Sequence, residues 1–342
     1  MASTPTMTDI AREAGVGVAT VDRVINQRAP VKAATRQRVL AAARTLGFIS
    51  DKISLSADSP PSCRTAYILL DSGAVFYREF SEQLLLHTAR CDRLANDPEL
   101  IYLNVNATES IAATLIALSD RVDVIGLVAI DHPLVNQAIG VAREKGVRVY
   151  SLFSELTASG CAGYIGLDNR KAGRTAAWAL SRLCQQPGKI GILLGDHRFL
   201  CQETSEISFR SYFREKTSGF TILEPLRCHE DDRLAEQATC ELLANHPDLV
   251  ALYVPSGGVE GVVNALLAEK QRSHRLLTVV CHGPIASAQR ALLEGVVEVF
   301  IWHRMATLAA GITGAIAEDF DSQARGNQQR YLPFELMTLE NF

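Results

Sequence analysis

From Thr8 to Asn26 the chain reads TDIAREAGVGVATVDRVIN, and its apolar residues return every three or four positions on either side of a break at Gly15-Val16-Gly17. Ile10, Ala11 and Ala14 precede the break; Val21, Val24 and Ile25 follow it. That spacing predicts two short amphipathic helices packed at a steep angle, a helix-turn-helix. Thr8 stands where an N-cap belongs, and Gly15 can take the left-handed conformation that ends the first helix. The second helix then runs from Val18 to Asn26. It sets Val18, Ala19 and Asp22 on the face opposite the Val21, Val24 and Ile25 stripe, with Arg23 reaching outward beside the stripe. Val31, Val39, Leu40, Ala43 and Leu46 predict a third helix over about residues 33–46, closed by Gly47.

Beyond residue 64 the pattern changes to short apolar runs alternating with helical stretches. The runs lie at 66–70, 100–105, 124–130, 147–153, 189–194, 220–226, 250–254, 276–280 and 297–301; helical stretches between them include 109–119, 134–145, 169–185, 232–245, 258–270 and 305–318. Strands this apolar, separated by helices, predict parallel sheets covered on both faces. The first four runs and the later ones form two similar halves. The expected fold is therefore α/β: a three-helix helix-turn-helix head over residues 1–49, a linker over 50–63, and two doubly wound parallel-sheet lobes over 64–342. The strand C-termini of both lobes should face the cleft between them, which makes that cleft the expected ligand site.

Composition narrows the class. With 47% hydrophobic and 21% charged residues the chain is of ordinary globular type. No apolar run reaches the ~18 residues of a membrane span, and MASTPTMTDIAREAG lacks the basic start and apolar core of a signal peptide, so a cytoplasmic protein without a membrane partner is expected. The eight cysteines are scattered with neither CxxC nor metal-ligand spacing, which suits buried reduced thiols and leaves no metal or cofactor implied. Charge divides unevenly. Residues 1–49 hold seven basic and three acidic side chains, a balance of +4, so the rest carries −8 to give the total of −4. A basic head on an acidic body suits phosphate neutralisation by the head.

The stretches DIAREAGV, ATVDRVIN and TRQRVLAAARTLGFI resemble, in that order and without a gap, the DNA-binding head of the LacI (lactose repressor) family. The resemblance implies that Val18, Ala19 and Arg23 read bases and that Thr20, Asn26, Thr35 and Arg36 lie near phosphates, with Thr8 and Arg28 on the same surface. Val18 and Ala19 can read only a thymine methyl or a close-fitting base edge, whereas Arg23 can chelate a guanine. Asp22 replaces the serine of most members. An acid near phosphate is unfavourable unless Arg23 or Arg28 neutralises it, although it can also accept from a cytosine amine. The linker SDKISLSADSPPSC also departs from the family, whose members usually carry an Ala-Arg-x-Leu hinge helix that wedges a leucine into the minor groove. Aligned from Phe48, the leucine position falls on Ala57 and the arginine on Leu55, so either Leu55 is the wedge of a shifted hinge or there is none.

YIGLDNRKAGRTAAWAL and VDVIGLVAIDHPLVNQAIGVAREKGVRVYSL resemble the family's effector domain, which is similar to periplasmic sugar-binding proteins. Strand-end position nominates Phe76, Tyr77, Asp131, Asp168, Asn169, Ser256, His282, Trp302 and His303 as ligand contacts, an aromatic wall with a few polar groups of the kind that holds sugars. Against that, Ser205 stands where relatives often have an arginine, and Ser256-Gly257 and Gly283 stand where they often have aspartates. The cleft is thus expected to be short of groups that grip hydroxyls, because its ligand is less hydroxylated or because the site has decayed. No nucleophile or ligand set stands at a diagnostic spacing around Asp168, His197, His229 or His282, so no enzyme is expected. Together these readings imply a ligand-responsive transcription regulator, most simply a repressor. A single head buries too little surface to discriminate a site, so a homodimer on a palindromic double-stranded operator is expected. The alternative is a ligand sensor or solute-binding protein with impaired DNA recognition.

Overall fold

The computed structural model describes residues 5–26, 31–46, 48, 62–71, 75–216, 219–255, 257–275, 277–283, 285–322 and 326–342. It divides into two compact units, Met1–Pro61 and Ser62–Phe342. The expectations for Arg28, Gly47, Leu55, Ala57 and Ser256 lie outside the described residues.

In the first unit α1 (Met7–Ala14), α2 (Val18–Ile25) and α3 (Ala33–Thr45) share one small core. Ile10, Ala11, Ala14, Val21, Val24, Ile25, Val39, Ala42 and Ala43 fill it, with Val16, Val31, Leu40, Leu46 and Phe48 packed at its margin. Gly15 takes φ 62 after α1, as its place in the turn requires. The N-cap of α1 is Thr6, not Thr8. The Asp9 amide donates to Thr6 Oγ1, and Asp9 Oδ2 accepts from the Thr6 amide at 2.9 Å. This is a reciprocal capping box, whose three-residue Thr6-to-Asp9 spacing places Thr8 inside the first turn.

The second unit contains two sheets. The first is ordered β12-β5-β4-β3-β1-β2, from β1 (Thr65–Leu70), β2 (Glu99–Leu103), β3 (Val124–Leu127), β4 (Arg148–Leu152), β5 (Gly163–Leu167) and the late strand β12 (Gln328–Leu332). The second is ordered β13-β11-β10-β9-β6-β7, from β6 (Lys189–Leu194), β7 (Thr221–Ile222), β9 (Leu249–Val254), β10 (Thr278–His282), β11 (Val299–Trp302) and β13 (Glu335–Met337), with β8 (Leu226–Arg227) pairing farther along β6. All these pairings are parallel except that of β13 with β11. Each lobe winds outward from its first strand in both directions, which sets a switch point between β1 and β3 in one and between β6 and β9 in the other. Cys63, placed with the linker by sequence, is fully buried and pairs across an isolated bridge with Leu94.

Helices cover both faces of each sheet. In the first lobe α4 (Val75–Ala89) lies on one face and α5 (Thr108–Leu118) with α6 (Pro133–Glu144) on the other. In the second, α7 (Asn169–Leu183) and α8 (Leu200–Lys216) lie on one face and α9 (Asp232–Asn245), α10 (Val259–Ser273) and α11 (Ala288–Leu293) on the other. The last helix, α12 (Met305–Asp321), packs in the core of the first lobe through Leu308, Ala309, Ile312 and Ile316. The chain consequently crosses between the lobes three times: from β5 into α7, from β11 into α12, and from β12 into β13. No helix among the described residues is long and apolar enough to cross a membrane.

Candidate functional site

The head offers one surface. Val18 is 45% exposed, Ala19 and Arg23 are exposed, and Thr20, Asp22 and Asn26 are partly so, because Val21, Val24 and Ile25 take the opposite face of α2 into the core. Thr35 and Arg36 on α3 are partly exposed, and Thr8 is exposed. No side chain caps α2, whose N-cap is Gly17, so the first amides of this helix face outward without a side-chain acceptor. Such an end attracts an anion. Asn26 Nδ2 donates to Asp22 Oδ1 at 2.6 Å. That bond gives the unusual acid a partner on its own helix, four residues along.

The second surface lies where the strand ends of the two lobes meet. Phe76 and Tyr77 stand in the first turn of α4, their rings edge to face 5.0 Å apart. Phe76 meets Phe153 at 5.5 Å and, across the lobes, His303 at 5.9 Å. Burial drives the imidazole pKa of His303 down to about 4 and that of His282 to about 3, the latter helped by His303, so both rings are neutral at pH 7. His282 Nε2 lies 3.0 Å from the Tyr253 hydroxyl, whereas His303 Nδ1 is buried without a hydrogen-bond partner. Trp302 lies over Gly283: a Cβ there would come within 2.9 Å of the indole. The glycine in that position therefore accommodates an aromatic wall rather than marking a lost carboxylate alone.

The remaining nominees are held by their own neighbours. Asp168 caps α7, accepting from the Lys171 amide at 3.0 Å, and Asn169 donates to the Tyr164 hydroxyl at 3.0 Å. Asp131 accepts from the Thr157 amide and hydroxyl and from Asn136, all at 3.0 Å. Burial alone would raise its pKa, but these bonds outweigh burial and hold the carboxyl below its ordinary value.

Two charged groups that the sequence did not nominate stand near this boundary, each engaged by protein partners. Glu230, half-buried beyond β8, accepts from Gln202 Nε2 at 2.6 Å and from the Gly257 amide at 3.0 Å. Burial raises its pKa, and a Cβ on Gly195 or Gly257 would collide with its carboxylate. Its backbone and that of His229 are left-handed, φ 61 and 54, a rare conformation for such residues that turns the carboxylate back under the strand ends. An arginine is also present at this boundary. Arg198, bidentate to Asp196, donates to Asn106 Oδ1 of the other lobe at 2.8 Å, and its carbonyl accepts from the Asp131 amide at 2.9 Å. The Cys201 amide meets Ser154 Oγ at 3.3 Å, a third bond between the lobes. Sequence reasoning missed Glu230 because it lies past the two-residue strand β8, where the run CHEDD after residue 227 was the available signal, and missed Arg198 because its partners Asn106 and Asp131 lie in the other lobe. Among the described residues no cluster of histidine, cysteine, aspartate and glutamate is arranged to hold a metal ion, and the eight cysteines are free thiols.

The chain thus combines a small three-helix helix-turn-helix head with a two-lobed body of paired parallel sheets that carries a strand-end cleft. Residues 90–317 match the family described as periplasmic binding protein domain, and residues 6–51 match bacterial regulatory proteins of the lacI family. The chain belongs to the periplasmic binding protein domain family, whose match covers about two thirds of it. Among curated relatives, catabolite control protein A of Priestia megaterium is 36% identical over 76 residues; this match spans 22% of the present chain and only 23% of that protein. Among solved structures, a solute-binding protein of an ABC transporter from Burkholderia graminis, in complex with D-arabinose, superposes with a TM-score of 0.71 at 16% identity, covering 82% of this chain and 96% of that one. A putative LacI transcriptional regulator from Bacteroides fragilis gives 0.68 at 18% identity, covering 82% and 98%. At these identities the structural likeness is one of fold.

Proposed function

We propose that this protein is a sequence-specific transcription regulator, a repressor acting as a homodimer on a palindromic duplex site in the cytoplasm, whose DNA affinity is set by a small sugar-like molecule held between its lobes. The observation that carries the reading is the outward face of α2, where Val18, Ala19 and Arg23 stand exposed around a helix that keeps its own stripe in the core. In this reading that helix enters the major groove, Arg23 chelates a guanine, and Thr20, Asn26, Thr35, Arg36, Thr8 and Arg28 meet the phosphate backbone. Residues 1–49 form the reading head, 50–63 the linker, with Leu55 as its wedge, and 64–342 the effector-binding and dimer-forming body.

The effector lies against Phe76, Tyr77, Trp302, His282 and His303, with Asp131, Arg198 and Glu230 for its polar groups, Asp168 and Asn169 at the β5-to-α7 crossing, and Ser256 as a further contact. A sugar-binding relative of the same fold supports a hydroxylated ligand. Any such ligand changes DNA affinity only through its differential affinity for open and closed lobes, typically by about 1–3 kcal/mol. The test is a titration of labelled duplex at several salt concentrations with the wild type and with Arg23→Ala. The reading predicts that the variant keeps its thermal midpoint but loses about 1–3 kcal/mol of discrimination between cognate and scrambled DNA. Equal discrimination by both proteins would remove Arg23 from base reading, and absence of DNA binding at every salt would support a sensor without DNA recognition.

A further inference from the structure

A second concavity lies away from the interlobe cleft. Lys171, Arg174, Thr175 and Trp178 follow one another along a single face of α7, and with Tyr212 of α8 and Phe334 of the β12–β13 crossing they line an open, shallow concavity of about 320 Å³. That volume falls in the range of small-molecule sites. Trp178 is 46% exposed there, a large apolar surface left open on a helix that otherwise buries its alanines. Arg174 lies over the Tyr212 ring at 5.6 Å and is held by two bonds to Glu215, at 3.1 and 2.8 Å, so it forms a fixed planar wall. Lys171 is different. Its side chain is 74% exposed and meets Asp168 Oδ2 at 3.2 Å, which leaves ammonium protons to donate to an incoming acid group.

We propose that this concavity is a second ligand site and that it takes a small aromatic anion, its ring packed against Trp178 and Phe334 and its carboxylate or phosphate turned to Lys171. Two crossings border the site: Lys171 stands in the first turn after the β5-to-α7 passage, and Phe334 lies within the β12-to-β13 passage. A ligand bridging them touches two of the three connections between the lobes. Binding itself does not depend on the regulator reading; only the resulting control of DNA affinity rests on it.

The experiment uses the full-length protein and calorimetric titration with 4-nitrobenzoate, with 4-nitrobenzamide as the neutral isostere and 4-nitrophenyl phosphate as the phosphate counterpart. The chain has two tryptophans, Trp178 and Trp302, so a Trp302→Phe variant makes Trp178 the sole reporter of quenching. The site predicts one-to-one binding of the benzoate about tenfold tighter than the amide, quenching of Trp178, and a loss of about tenfold in Lys171→Glu. Lys171→Glu folds normally, since an acid in a first helical turn is favourable; its melting curve checks this. Phe76→Ala, in the interlobe cleft, leaves the affinity unchanged. Tighter phosphate than carboxylate binding would assign the natural ligand to aryl phosphates, within the proposal. Equal binding of amide and acid, loss of binding through Phe76→Ala, or no heat and no quenching would each overturn it.

Discussion

His282 and His303 show how much chemistry a single position can hide. Both sit at strand ends, where sequence nominates a ligand contact, but it is burial that makes them neutral. A histidine whose pKa is depressed on folding stays uncharged in the native state while the unfolded chain binds a proton below about pH 6.5. Stability contributed in this way is intact above that value and is lost as pH falls toward the folded values of about 3 and 4. Below pH 6 each ring should therefore cost up to about 1.4 kcal/mol per pH unit, and denaturant titrations from pH 7 to 5 should show a shallower slope in a His282→Gln, His303→Gln double variant than in the wild type. An unchanged slope would mean that these rings are charged in the folded protein. Glu230 poses the opposite case. Its carboxylate satisfies Gln202 Nε2 and the Gly257 amide, so Glu230→Ala removes the acceptor of the buried Gln202 amide and should cost about 1–3 kcal/mol by urea unfolding, whereas Glu230→Gln keeps the size and should cost less.

At the scale of elements, legibility followed burial. Runs such as KIGILL and VALYV, buried on both faces, coincide with β6 and β9 almost residue for residue, because a strand inside a parallel sheet has no polar face to confuse its pattern. β12 and β13 escaped notice: QQRYL and ELM are half-exposed edge strands whose alternation is weak and whose pairing partners lie far away in sequence. β12 pairs with β5 of the first lobe, so a strand from the chain's end completes the sheet begun near its start, which no local pattern can reveal. In the head, the helices were plain from their periodicity, but the cap was displaced by two residues because Thr6 and Thr8 have the same chemistry and only Thr6 stands three before Asp9. Thr6→Ala should accordingly lower the stability of α1 by about 1 kcal/mol, with Thr8→Ala close to neutral, as judged by melting of the isolated change in helical signal. Equal effects would contradict the assignment.

Over the whole molecule the lobes are joined by three crossings and by bonds that centre on Arg198, whose side chain and carbonyl both reach the opposite lobe. The aromatic candidates of the cleft could be read from sequence as strand-end positions; the latch could not, because Asn106, Asp131, Ser154 and Arg198 come together only once both sheets have formed. Arg198→Ala should shift the lobes toward an open arrangement, seen as an increased radius of gyration by small-angle scattering; an unchanged radius would mean that other bonds hold the lobes together.

The central claim, that the outward face of α2 reads DNA in a two-fold assembly, is tested most directly by selecting binding sites from a random duplex pool with the full-length protein at near-physiological salt. The account predicts enrichment of an inverted repeat with a guanine at equivalent positions of both half-sites, and loss of that guanine from the pool selected by Arg23→Ala. Failure of the folded protein to enrich any sequence, with and without candidate sugars, would contradict it.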